Sequence, residues 1–155
     1  MEAMSVLNPL PILVVDDEEM ALTLVTRLLE RIGFTEIDTA ANGVQARARI
    51  AERQYGLIIS DWNMPEMNGL ELLKTIRANE TSKLLPFLMT SIDGSLERVK
   101  IARLAGVSAF LLKPFDETKL RTKLEEVLAI HLPKPKLILP PIPAVPAPRE
   151  APAAA

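Results

Sequence analysis

Three carboxylates, a hydroxyl and an amine stand where short apolar runs of this sequence end: Asp16, Asp17, Asp61, Ser91 and Lys113. Carboxylates gathered within a few ångströms repel by about 4 kcal/mol per pair at an effective dielectric constant of ~20. One lysine offsets only part of that repulsion, and a hard divalent cation would offset the rest. Because Mg2+ suits one or two carboxylates together with water, these residues predict a magnesium site if folding brings them together.

Asp61 is the residue of this set that could carry out covalent chemistry. An octahedral ion beside it would leave positions for a phosphoryl oxygen, and the carboxylate could then attack phosphorus and become an aspartyl phosphate. Lys113 and the ion would neutralise the charge of the transferred group, which is how phosphoryl transfer is mostly catalysed. Ser91 would donate its hydroxyl to the new phosphoryl group. The sequence therefore predicts that Asp61 is a phosphoacceptor.

The apolar runs are typical of buried strands in a parallel sheet. They cover residues 11–15, 57–59, 86–91 and 108–112, with Asp61 closing the second, and a short alternating run at 36–40 predicts a less buried edge strand. A helical pattern follows each strand. The first helix covers residues 18–32, and the later ones begin after the capping residues Asn42, Asn68, Ser95 and Asp116.

Strand and helix thus alternate five times with short connections, which requires a parallel sheet with helices on both faces. We predict a doubly wound α/β fold with five parallel strands in the flavodoxin-like order 2-1-3-4-5 and five helices. This order places the weak second strand at an edge. The carboxyl ends of all strands then share one edge of the sheet, which would bring the carboxylates, the hydroxyl and the amine together.

Finer expectations concern two helices and one aromatic residue. Val44, Ala48 and Ala51 should line the inner face of the second helix. The fourth helix has only a blurred apolar stripe, so we expect it to be loosely held. Trp62 is expected to be a partly exposed neighbour of the site.

The composition excludes several classes of protein. The 155 residues are 48% hydrophobic, with no cysteine and a net charge of −2. Disulfides and thiolate metal sites are therefore excluded, and no basic field points to nucleic acid. No apolar run approaches the ~20 residues that span a bilayer, and the N-terminus lacks the pattern of a signal peptide. We expect a cytoplasmic protein with no nucleic-acid or membrane partner.

The sequence predicts one folded domain at residues 11–132, after a loose lead-in at residues 1–10. Residues 133–155 hold eight of the thirteen prolines together with many alanines, a density that excludes helix and sheet. We interpret this segment as a disordered Pro/Ala-rich tail. His131, the sole histidine of the sequence, is expected to be a solvated residue at the end of the last helix.

Over about residues 11–131 the sequence resembles the receiver domains of two-component signalling. The residues that carry the resemblance, in order and at the spacing of that family, are Asp16-Asp17, Asp61, Ser91 and Lys113-Pro114-Phe115. Within the family, the stretch DWNMPEMNGLELLKTIRA at residues 61–78 is very similar to the single-domain regulators of chemotaxis.

The resemblance implies roles for the acidic residues. Asp17 and Asp61 would bind Mg2+ directly, together with the backbone carbonyl of Asn63. Asp16 would belong to the same metal-binding set but act mainly through water. The peptide bond that precedes Pro114 is expected to be cis.

The resemblance also implies a switch that responds to phosphorylation. Phe110, which stands where tyrosine is commoner, would turn inward when Ser91 moves to the phosphoryl group. Counting forward from Asp61 and counting back from Lys113 both select Ser91 as the switch hydroxyl. A shift of one residue would select Thr90 instead. Ile92 stands where the family usually has a small residue, so its bulk should narrow the access to Asp61.

These features predict a stand-alone response regulator that works as a phosphorylation switch. A histidine kinase would phosphorylate Asp61 with Mg2+. The surface of the fourth helix, fifth strand and fifth helix would then change its affinity for a partner. Output would occur by protein contact, in a chemotaxis pathway as the resemblance implies, with a flagellar switch protein as the leading candidate. The protein would not be an enzyme beyond its own phosphoryl transfer and dephosphorylation.

Sequence alone leaves other functions open: a phosphorelay shuttle or phosphate sink, a phosphohydrolase, and an unphosphorylated docking module. Phosphohydrolases of other α/β families carry nucleophile and acid two residues apart on the first strand. Here Asp17 and Glu18 follow Asp16, which argues against that class. A docking module would bind its partner equally well with the substitution Asp61→Asn.

Overall fold

The computed structural model describes residues 10–130 and residue 132. Its strands are β1 (Ile12–Val15), β2 (Ile37–Ala40), β3 (Leu57–Asp61), β4 (Phe87–Ser91) and β5 (Ala109–Leu112). Its helices are α1 (Glu19–Ile32), α2 (Gly43–Glu52), α3 (Gly69–Ala78), α4 (Leu96–Leu104) and α5 (Glu117–Leu128). These bounds confirm the alternation of strands and helices that the sequence predicts.

The strands form one parallel sheet in the order β2-β1-β3-β4-β5, so the predicted fold is confirmed. β1, β3 and β4 are buried along their whole length, because helices cover both faces of the sheet. β2 lies at an edge and is only partly buried, as its alternating sequence predicts.

The sheet separates two apolar clusters, since successive strand residues point to opposite faces. The cluster on the side of α1 and α5 includes Ile12, Val14, Val25, Leu29, Ile59 and Leu124. The cluster on the side of α2 and α3 includes Leu13, Val15, Ile58, Leu72, Ile76 and Phe87. Burial on both faces explains why the central strands are continuously apolar in the sequence.

The predicted capping residues begin four of the described helices. Asn68 and Glu71 form a capping box, with the Asn68 side chain accepting from the Glu71 amide at 2.8 Å. Asn42, Ser95 and Asp116 accept backbone hydrogen bonds in the same way at the starts of α2, α4 and α5. These caps stop each helix from extending into the loop that leads from the preceding strand.

The predicted inner face of α2 is wrong. Val44 is 50% exposed, and the helix buries Gly43 and Ala46 instead of Val44, Ala48 and Ala51. A Cβ atom at Gly43 would lie 2.6 Å from the carbonyl oxygen of Met67, so the start of α2 approaches the β3–α3 loop too closely for a side chain. By contrast, α4 buries only Ala102, which agrees with its blurred apolar stripe.

The edge strand β2 is tied to the segment that precedes β3. Arg53 forms ion pairs with Glu36 and Asp38, and its guanidinium carbon lies 5.6 Å from the centre of the Tyr55 ring. Tyr55 donates its hydroxyl to Asp38 at 2.6 Å. Burial, and then the Asp38 carboxylate, raise the pKa of Tyr55 to about 12.

Beyond α5, Ala129 adopts a left-handed conformation and Leu132 is fully buried in the cluster beside α1 and α5. The predicted lead-in, the predicted tail and the prediction for His131 concern residues 1–9, 131 and 133–155, which lie outside the described residues. The predicted domain limits at residues 11 and 132 therefore stay predictions. Within the described part of the chain, no helix is long and apolar enough to cross a membrane.

Candidate functional site

The carboxylates of Asp16, Asp17 and Asp61 meet at the carboxyl edge of the sheet. Val15 pairs with Ser60 in the register of β1 and β3, so the residues that follow, Asp16 and Asp61, stand side by side. One oxygen of each carboxylate lies within 4.8 Å of the others. Asp16 and Asp61 are only 4% and 8% exposed, whereas Asp17 faces solvent.

Lys113 enters the same cluster from the end of β5. Its Nζ atom lies 2.9 Å from Asp16 Oδ2 and 3.2 Å from Asp61 Oδ1. The Lys113 backbone amide donates to the Ser91 carbonyl oxygen at 2.8 Å, and the Lys113-Pro114 peptide bond is cis, as expected. The structure thus brings together the three predicted carboxylates and the predicted amine, from the ends of β1, β3 and β5.

The electrostatics of the cluster favour an added cation. Burial, and then the negative charge of Asp16, raise the pKa of Asp61, and Lys113 only partly opposes this shift. Burial lowers the pKa of Lys113, but its hydrogen bond to Asp16 and the charge of Asp61 outweigh that effect, so the net shift is upward. Three carboxylates facing one ammonium group leave the cluster negative, and oxygen donors of this type are the ligands that Mg2+ prefers.

Asn63 lies in the exposed loop that begins after Asp61. The start of this loop is fixed, because the Trp62 amide donates to the Thr90 carbonyl oxygen at 3.0 Å and the Trp62 carbonyl accepts from Gly69 at 2.8 Å. A Cβ atom at Gly69 would lie 2.2 Å from the Asp61 carbonyl oxygen, so glycine is needed where α3 begins. The role of the Asn63 carbonyl as a metal ligand stays a prediction.

Ser91 is buried at the end of β4, but its hydroxyl is engaged with the next loop. It accepts from the Asp93 amide at 3.0 Å and donates to the Asp93 carbonyl oxygen at 3.3 Å. Thr90 is the register partner of Asp61, and its hydroxyl donates to the Ser60 carbonyl oxygen at 3.4 Å. In this arrangement neither hydroxyl is hydrogen-bonded to a carboxylate of the cluster, and the role of Ser91 stays a prediction.

The prediction for Trp62 is wrong, because this residue is only 5% exposed. Phe110, the predicted switch aromatic, is half-buried, and its ring meets the Trp62 ring edge-on at a centroid distance of 6.4 Å. The guanidinium carbon of Arg98 lies 4.2 Å from the centre of the Trp62 ring. The sequence pattern did not identify Arg98, because α4 has no clear apolar stripe that would show which of its side chains face the site.

This chain is similar to known proteins in both sequence and fold. The family described as "response regulator receiver domain" matches residues 12–125. The chain is 38% identical over 121 residues to chemotaxis protein CheY1 of Helicobacter pylori strain J99, covering 77% of this chain and 98% of that protein. It is 37% identical over 116 residues to chemotaxis protein CheY-3 of Vibrio cholerae serotype O1, covering 75% and 89%.

A solved structure agrees with these sequence matches. Chemotaxis protein CheY4 of Vibrio cholerae aligns with a TM-score of 0.73 and 34% sequence identity, over 77% of this chain and 98% of that one. Because the alignment spans nearly all of that protein, the similarity includes its whole fold rather than one motif.

Proposed function

Because the chain belongs to the response regulator receiver domain family, we propose that it is a two-component phosphorylation switch that accepts a phosphoryl group on Asp61. The receiver domain is of the type found in CheY-like chemotaxis response regulators. The observation that carries the proposal is the cluster of three carboxylate oxygens within 4.8 Å of one another, with Lys113 in contact with two of the carboxylates.

The donor set fits Mg2+, because it consists of carboxylates at a site that solvent reaches through the exposed Asp17. Asp17 and Asp61 would hold the ion, together with the Asn63 backbone carbonyl, and Asp16 would contribute through water. When bound, the ion supplies positive charge that opposes the negative charge of the phosphoryl group.

In the proposed reaction an oxygen of Asp61 attacks the phosphorus of a phosphohistidine on a kinase. The new bond joins that oxygen to phosphorus, and the bond between phosphorus and the histidine nitrogen breaks. Lys113 lies 3.2 Å from Asp61 and would neutralise charge on the transferred group. Ser91 would leave Asp93 and donate its hydroxyl to a phosphoryl oxygen.

Output would occur through the surface of α4, β5 and α5, in the cytoplasm. This surface is suited to protein contact, because large apolar side chains stand exposed on α4 and β5: Leu96, Leu104 and Leu112 are 72%, 90% and 49% exposed. The chemotaxis relatives make a flagellar switch protein the leading candidate partner and a chemotaxis histidine kinase the leading phosphodonor.

Phosphorylation by acetyl phosphate tests the proposal. The protein is incubated with this donor in Mg2+ or in EDTA, and the addition of one phosphoryl group is followed by intact mass spectrometry. We expect phosphorylation in Mg2+, its loss in EDTA and its loss in Asp61→Asn. Glu52→Gln is the matched control, because it removes an exposed carboxylate on α2. Phosphorylation of Asp61→Asn at the wild-type rate would contradict the proposal.

A further inference from the structure

Arg98 on α4 covers the residue that follows the phosphoacceptor. Its guanidinium carbon lies 4.2 Å from the centre of the Trp62 ring, within the range in which a cation is attracted to an indole face. Trp62 is nearly buried and directly follows Asp61 in the chain. The contact therefore joins the first turn of α4 to the residue that follows β3. It matters for the position of α4, because Ala102 is the only residue that this helix buries.

Hydrogen bonds contribute little to holding the Arg98 guanidinium in place. Its Nε atom lies 3.6 Å from Asp93 Oδ2, an ion pair too long for a good hydrogen bond. One terminal nitrogen is buried without a hydrogen-bond partner in the described residues. A buried unpaired donor is unfavourable, so this nitrogen adds nothing to the stability of the Arg98 contact with Trp62.

The loop that carries Asp93 is anchored by Ser91. The Ser91 hydroxyl accepts from the Asp93 amide and donates its single proton to the Asp93 carbonyl oxygen. It cannot donate that proton to Asp93 and to a phosphoryl oxygen at the same time. Movement of Ser91 to a phosphoryl group would thus free the Asp93 carbonyl oxygen and loosen the loop, although the Asp93 carboxylate keeps its hydrogen bond from the Ser95 amide at 3.0 Å. That carboxylate lies next to the guanidinium of Arg98.

We propose that Arg98 is a positioning residue that holds the start of α4 against Trp62 in the unphosphorylated protein and is released when Ser91 turns to the phosphoryl group. This inference rests on the proposed phosphorylation of Asp61. Arg98 stabilises the unphosphorylated arrangement, so its removal favours the phosphorylated one. The role is specific to the guanidinium, which lies over the indole ring of Trp62 and also forms the 3.6 Å ion pair with Asp93.

The experiment compares Arg98→Gln, Arg98→Lys and the control Arg103→Gln, which removes an exposed arginine from the same helix. Each protein is phosphorylated with acetyl phosphate in Mg2+. The rate is measured by intact mass, and the emission of Trp62, the sole tryptophan of the sequence, is recorded before and after. Urea unfolding of each variant establishes that it is folded.

We expect Arg98→Gln to be phosphorylated about threefold to tenfold faster than the wild type, which corresponds to about 0.6–1.4 kcal/mol. The change of Trp62 emission on phosphorylation should be largely lost in this variant. Arg98→Lys keeps the positive charge but not the planar guanidinium, so its phosphorylation rate and emission change should lie between those of the wild type and Arg98→Gln. Arg103→Gln should behave as the wild type.

Two results would overturn the inference, and they are distinguishable. If the wild type is phosphorylated and Arg98→Gln matches it in rate and in emission change, Arg98 has only a structural role and the proposed function stands. If the wild type takes up no phosphoryl group in Mg2+, the proposed function fails and the inference fails with it.

Discussion

Replacing Asp61 by asparagine should make the folded protein more stable when divalent cations are absent. Burial, and then Asp16, raise the pKa of Asp61 above its value of 3.8 in an unfolded chain. A carboxyl group with a raised pKa costs nothing below pH 3.8, and its full cost is present once the pH exceeds the folded pKa. At neutral pH the ionised Asp61 therefore destabilises the folded state, and Asp61→Asn removes that cost.

The magnitude follows from the contacts of Asp61. At an effective dielectric constant of ~20, a carboxylate of Asp16 within 4.8 Å repels Asp61 by about 3.5 kcal/mol. Lys113 at 3.2 Å attracts it by about 5 kcal/mol on the same scale. Desolvation of a buried ion costs several kcal/mol more, in the direction of the raised pKa of Asp61. Repulsion and desolvation together therefore exceed the attraction of Lys113, and we expect a gain of about 1–2 kcal/mol for Asp61→Asn.

Urea unfolding at pH 7, in EDTA and in Mg2+, measures this effect. In EDTA the variant should unfold at higher urea than the wild type. In Mg2+ the wild type should gain stability, because an ion that binds only the folded state stabilises it, and the variant should gain less because it lacks one ligand. Glu52→Gln should change little in either condition. A variant that is less stable than the wild type in EDTA, or that gains equally from Mg2+, would refute the reasoning.

Three further predictions concern neighbouring residues. Ser91→Ala should slow phosphorylation of Asp61 by acetyl phosphate about tenfold or more, because it removes a donor to the phosphoryl group. Thr90→Val should have little effect on this rate. The opposite ranking of the two variants would make Thr90 the switch hydroxyl. Tyr55→Phe should cost about 1 kcal/mol at neutral pH in urea unfolding, because the partly buried Asp38 carboxylate loses one of its two donors and keeps Arg53. The wild type should also lose stability as the pH rises from 10 to about 12, the folded pKa of Tyr55, and Tyr55→Phe should lack this loss; an unchanged alkaline profile would contradict the assignment. Ile92→Ala should take up and lose the phosphoryl group faster than the wild type, because the side chain of Ile92, which is 74% exposed, is expected to narrow the access to Asp61. Intact mass spectrometry measures both rates, and equal rates in the two proteins would contradict this prediction.

The sheet and its acidic edge could be predicted from the sequence, because local patterns determine both. Continuous apolar runs specify buried strands, and the caps at Asn68 and Asp116 mark where helices begin. A parallel sheet then places every strand end at one edge, whatever the distances along the chain. The convergence of Asp16, Asp61 and Lys113 follows from these rules and needs no knowledge of side-chain packing.

Contacts between elements could not be predicted in the same way. On α2, the set Val44, Ala48 and Ala51 and the face that includes Gly43 and Ala46 both have helical spacing. The choice depends on the approach of Met67, which only the fold reveals.

The burial of Trp62 has a similar cause. A tryptophan in a loop after a strand would be partly exposed if nothing covered it, and here a distant arginine on α4 and the edge of an aromatic ring on β5 cover it. Neither contact leaves a periodic signal in the sequence, because each depends on one side chain of another element.

The charged rim around β2 affects how the protein behaves at high concentration. An edge strand offers unpaired backbone groups to any extended peptide, and fibrils grow by such pairing. Here Glu36, Asp38 and Arg53 place charged side chains on and beside that strand. Because charge at an edge strand disfavours pairing with another chain, we expect this side of the sheet to resist aggregation.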